Sequence, residues 1–82
     1  MKSELLKIAD MLLSVMPKSN KDIISVYKHN ILSNNANTAR IISDELVDYF
    51  AEMDDGSDLS EKKKALSEKL YNKTMEFYEI NS

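Results

Sequence analysis

The sequence predicts an all-α protein, a small antiparallel bundle of four helices at about 3–16, 20–33, 36–54 and 58–80. Three observations predict it. Apolar residues recur at three- and four-residue intervals through four separate segments, alternating strand patterns and hairpin turn pairs are absent, and the lone Pro and lone Gly fall between segments. Short connections between such segments make successive helices antiparallel neighbours.

In the first segment Leu5, Ile8, Leu12 and Val15 repeat at helical spacing, and Leu6, Ala9, Leu13 and Met16 widen the stripe, so this helix is expected to be mostly buried. Pro17 has no amide hydrogen and pushes Met16 out of helical geometry, which ends the segment. Ser19, with Asp22 three residues later, makes a capping pair for the second helix, and Asn20 is the rival cap. Ile23, Ile24, Tyr27 and Ile31 follow, with Val26 beside them. Ser33, Asn34 and Asn35 close this segment because Asn tolerates left-handed backbone.

In the third segment Ala39, Ile42, Leu46, Tyr49, Phe50 and Met53 share a narrow arc at about 100° per residue, and Asp44, Glu45, Asp48 and Glu52 occupy the opposite arc. Asp54 and Asp55 stand where the helix dipole disfavours anions, and Gly56 supplies the left-handed residue that ends the helix. Ser57, Asp58 and Ser60 compete to cap the fourth helix, with Asp58 and Glu61 forming the better box. Leu59, Leu66, Leu70, Thr74 and Phe77 give its stripe, and Tyr71, Met75 and Tyr78 lie beside it. The first two helices are shorter than the last two. The surplus face of the longer pair makes Tyr71, Met75 and Tyr78 a candidate seam for a homodimer or a ligand helix, while coverage by the first helix is the ordinary role for the same residues.

Composition bounds the function. Eighty-two residues suit one domain, 1–82, that buries only about 60–65% of its unfolded surface. Stability is expected at roughly 4–8 kcal/mol, so a partner or a second copy would help it appreciably. With no Cys there is no disulfide framework or thiolate metal site, and no stretch approaches the roughly 20 apolar residues of a membrane span. Lys7 and Asp10 interrupt the apolar start, so it does not read as a secretory signal, and a cytoplasmic location is expected. The net charge of -3 is unevenly placed. Residues 1–41 hold six Lys and Arg against three Asp and Glu, a net of +3, and residues 42–82 hold five against eleven, a net of -6.

No catalytic, metal or nucleotide motif passes a spacing test, and neither an enzyme nor a cofactor is expected. His29 lacks the spaced partners of a metal site or a nucleophile pair. Aligning Gly56 with the sixth place of a calcium loop puts Ala51, Met53 and Lys62 where ligands are needed, so that motif fails. A single Gly cannot build a phosphate-cradling loop. A wide apolar arc on the first helix raises peripheral membrane contact, but Lys2 and Lys7 are too few for a basic face. DNA binding has a concrete form: Asn37, Thr38 and Arg40 stand at the start of the third helix, as base-reading side chains do on a recognition helix. The same helix runs directly into Asp44, Glu45 and Asp48, which repel phosphate, so nucleic acid is the second choice.

Asp44, Asp48 and Glu52 recur every fourth residue, and like charges so placed destabilise a helix by about 0.2–0.5 kcal/mol per pair. Solubility or a basic partner accounts for them. Ile41 and Val47 flank this acidic face, and apolar side chains bordered by charge form a usable binding patch. In length, helix count and lack of catalytic residues the chain resembles the immunity proteins that bacteria make against their own bacteriocins, and phage-encoded inhibitors of host proteins. That likeness is at the level of fold and carries no residues across. The abundance of Lys, Asn, Ile and Ser suits an AT-rich bacterial or phage gene. The expectation is a protein-binding module that acts as an inhibitor, immunity factor or small regulator through Asp44, Glu45, Asp48, Glu52, Ile41 and Val47.

Overall fold

Pro17 and Gly56 punctuate the chain as their chemistry requires, and four helices lie around them: α1 (Lys2–Val15), α2 (Lys21–Leu32), α3 (Ala36–Glu52) and α4 (Asp58–Asn81). The computed structural model describes residues 1–17 and 20–81, and no strand occurs among them. Met16, pushed by Pro17, is extended at φ -89° and ψ 146° and ends α1. The proposed Ser19 cap lies outside the described residues, and Asn20 occupies the N-cap position of α2.

The α2–α3 connection is a Schellman turn built on Asn rather than Gly. Asn34 takes φ 61°, its amide donates to the Ile31 carbonyl at 3.2 Å, and the Asn35 amide donates to the Asn30 carbonyl at 2.8 Å. Gly56, at φ +83°, closes the stretch after α3. The cap of α4 differs from the expected Asp58–Glu61 box. Ser57 holds it, its Oγ accepting the Ser60 amide at 3.2 Å, because the helix begins at Asp58 and leaves that residue inside the first turn, where its charge meets the positive end of the dipole.

Each helix contributes to one core. Leu5, Ile8, Ala9 and Leu12 come from α1, Ile24, Tyr27 and Ile31 from α2, Ala36, Ala39, Ile42, Leu46 and Phe50 from α3, and Leu70 and Phe77 from α4. The α1 stripe is narrower than expected, since Leu6, Leu13 and Val15 are only partly covered. Two further residues leave the places their periodicity suggests. Met53 is 57% exposed and Leu59 is 61% exposed, because both sit at the end of the α3–α4 pair that α1 does not reach.

Helices adjoin in the order α1, α2, α3, α4 and back to α1. Lys28 pairs with Asp10 at 2.6 Å across α2 and α1, Lys73 pairs with Glu4 across α4 and α1, and the Arg40 guanidinium lies 5.1 Å from the Tyr78 ring centre across α3 and α4. The α3–α4 contact is the most extensive. Ser43 and Ser67 are fully buried, each hydroxyl donating to a carbonyl of its own helix, Arg40 at 2.7 Å and Lys64 at 2.6 Å. Among the described residues no helix is long and apolar enough to cross a membrane.

One hydrogen bond crosses the middle. Tyr27 on α2 and Thr74 on α4, both fully buried, meet hydroxyl to hydroxyl at 2.7 Å. Thr74 already donates its single proton to the Leu70 carbonyl at 2.6 Å, so Tyr27 is the donor. Burial pushes the Tyr27 phenol up to about 12, with the Thr74 contact pulling weakly the other way.

That directionality makes the two truncations unequal. Tyr27→Phe should lower stability by about 1 kcal/mol, Thr74→Val by about 1–3 kcal/mol because it strands a buried donor, and the double variant by less than the sum, all read by urea denaturation. Below pH 10 both folded and unfolded chains keep the phenol proton. Above it the unfolded chain ionises first, so stability should fall between pH 10 and about 12, and Tyr27→Phe should lose less over that interval.

Candidate functional site

The outer face of α3 carries the acidic residues. Asp44, Glu45, Asp48 and Glu52 are all exposed, and no ion pair found among the described residues engages them. Core residues Ala39, Ile42, Leu46 and Phe50 turn the opposite face inward, which is why every fourth residue from Asp44 points to water. Ile41, 44% exposed, stands in line with Glu45, Asp48 and Glu52, one turn before them, and Val47 is half-buried at the edge beside Asp44. No basic residue stands in the last turn of α3, so the negative end of its dipole adds to the field of Glu52 instead of being offset.

The field extends past the helix. Residues 41–61 contain eight Asp and Glu and not one Lys or Arg, an uninterrupted acidic run that counting by halves conceals. In the turn, the Gly56 amide donates to Asp54 Oδ1 at 2.9 Å and the Ser57 amide donates to Asp55 Oδ1 at 3.0 Å. The Ser60 hydroxyl lies 2.8 Å from Asp54 and 2.9 Å from Asp55, one proton shared between two carboxylates. These donors favour the charged forms. The Gly56 amide, then Ser60, holds Asp54 below the usual carboxylate range, and Ser57 with Ser60 pulls Asp55 down to about 2. Among the described residues no three His, Cys, Asp or Glu side chains are placed to hold a metal ion.

The other sequence candidates are dispersed. Asn37 is exposed, Thr38 is half-buried, and Arg40 is turned toward α4, where it lies over Tyr78 and donates to Asn37 Oδ1 at 3.1 Å. Tyr71, Met75 and Tyr78 are each half-buried, Tyr78 packing against the core. His29 is exposed in the last turn of α2.

An apolar notch lies at the opposite end of the long pair from Tyr78. Glu4 near the start of α1 pairs with Lys73 far along α4, so α1 runs out at Val15 while the last turn of α3 and the first turn of α4 continue. A notch of about 230 Å³ remains there, walled by Val15, Pro17, Tyr49, Phe50, Met53 and Leu59, with Asp55 and Lys63 at its polar side. Tyr49 also walls a second hollow of about 200 Å³ with Met16, Ile23 and Leu46. Unequal helix length was the sequence signal for such a gap. Its position depended on which ends of α1 and α4 pair, which residue spacing does not encode.

The turn yields two expectations. By carbon NMR the Asp55 carboxyl should titrate near 2 rather than near its ordinary 3.8, and the contribution of Asp54 and Asp55 to stability, fully present above pH 4, should be lost as pH falls toward 2. Gly56→Ala should cost about 1 kcal/mol in chemical denaturation from backbone strain alone, because a Cβ there meets nothing within 4 Å.

No known protein family, no curated protein and no solved structure matches the chain.

Proposed function

We propose that this chain is a non-catalytic protein-binding module of the cytoplasm, an inhibitor, immunity factor or small regulator that works by occupying a partner with a basic surface. Its scaffold in this reading is an up-and-down antiparallel bundle, supported by the pairing of Glu4 with Lys73, Asp10 with Lys28, Asp54 with Lys64 and Arg40 with Tyr78. The observation that carries the reading is the exposure of Asp44, Glu45, Asp48 and Glu52 on one outer face with no cation engaged to them.

Locally that arrangement is unfavourable. Each i,i+4 pair of like charges destabilises the helix by about 0.2–0.5 kcal/mol, and acid near the C-terminal end opposes the dipole by about 0.3–1 kcal/mol. Solubility alone is served as well by interspersed charges of both signs. A basic partner turns the same repulsion into attraction, speeds encounter, and finds in Ile41 and Val47 apolar contacts that slow release.

The test begins with affinity capture from the native host and identification of the captured protein by mass spectrometry. Asp44→Lys combined with Asp48→Lys should then raise the Kd for that protein about tenfold or more, mainly through slower association, and flatten its salt dependence while circular dichroism stays unchanged. An unaltered Kd would remove the acidic face from the mechanism.

A further inference from the structure

The notch at the open end of the bundle has walls, a rim and a size, and each restricts what it can take. Its walls are apolar, and the Tyr49 and Phe50 rings meet edge to face with centroids 5.1 Å apart. Met53 and Leu59 form its lips and are exposed apolar side chains within the acidic run. At about 230 Å³ it falls below the roughly 300–1,000 Å³ of a small-molecule site and suits one inserted side chain.

We propose that the notch seats a single apolar anchor, a Leu- or Phe-like side chain, presented by a Lys- and Arg-rich segment of a partner protein. The proposal rests on the protein-binding reading above and states where the partner's apolar contact is made. Charge complementarity selects the occupant. Asp55 is the carboxylate in its lining, Asp54 and Asp58 stand beside it in the sequence of the α3–α4 turn, and Lys63 is the cation in its lining. A segment with cations on both sides of its anchor therefore gains attraction around the rim while the anchor leaves water. A second copy is the poorer fit, because a two-fold contact through Met53 and Leu59 would set the same acidic run against itself in a chain of net charge -3.

The test is an amide NMR titration of the full chain with a short synthetic peptide of Lys and Ala carrying one central Leu, beside the same peptide with Ala at that place. The Leu peptide should bind about tenfold or more tightly, and shift the amides of Tyr49, Met53 and Leu59. Leu59→Ser, at an exposed position that leaves the core intact, should abolish the advantage of Leu over Ala. Equal affinity for the two peptides, or shifts confined to Asp44 and Asp48, would overturn the notch and leave the acidic face standing. Anchor-dependent shifts that persist at full strength in Asp44→Lys with Asp48→Lys would sustain the notch and overturn the face. Movement of the same amides with protein concentration alone, with a doubled mass by light scattering, would assign the notch to a second copy and end the proposal.

Discussion

A phenol and a threonine hydroxyl meeting at 2.7 Å in the middle of the bundle impose the constraint that the other contacts satisfy. Helices on opposite sides of a four-membered ring do not otherwise approach one another, and apolar packing alone tolerates sliding along a smooth stripe. A buried phenol that must donate does not tolerate it. One register of α2 against α4 brings Tyr27 to Thr74, and a shift of one turn would strand the hydroxyl. With those two helices fixed, α1 and α3 fill the gaps on either side. Lys28 with Asp10 and Lys73 with Glu4 decorate the resulting interfaces at the surface, where such pairs are worth little.

α3 joins two opposed demands on one element. Its inner face is buried through Ala36, Ala39, Ile42, Ser43, Leu46 and Phe50, and this packing holds the helix despite the repulsion along its outer face. Tertiary contact thus frees the exterior from having to favour the helix. Such a division lets an exposed face be chosen for something other than local stability, and it gives the unopposed carboxylates their significance.

Much of this architecture was legible in residue order. Four apolar stripes, Pro17, the Asn-rich connection and Gly56 locate four helices to within a residue or two, because each signal acts within one or two turns of backbone. The exposure of Asp44, Asp48 and Glu52 follows from the same periodicity. What escaped depends on neighbours. Periodicity says which side of a helix is apolar but not whether another helix reaches that side, so Met53 and Leu59 read as core although α1 stops short of them. Ser43 and Ser67 belong to none of the apolar stripes, and their full burial depends on how closely neighbouring helices approach, which periodicity does not encode. Ser57 displaced Asp58 as the cap for a related reason, since one residue of shift at a helix start is below what sequence pattern resolves.

The first nine residues of α4, 58–66, contribute nothing fully buried, and the helix gains its first enclosed side chain only at Ser67. Those turns are held by the Ser57 and Ser60 hydroxyls, a loose Lys64–Asp54 pair at 4.0 Å and the partly buried Leu66, so they open at less expense in free energy than the stretch around Leu70 and Phe77. Their amides should lose protection against solvent exchange long before those around Leu70 and Phe77. Any macromolecule gripping that end would consequently rigidify a soft lever, and its hold would weaken on warming more steeply than contact with a rigid surface would.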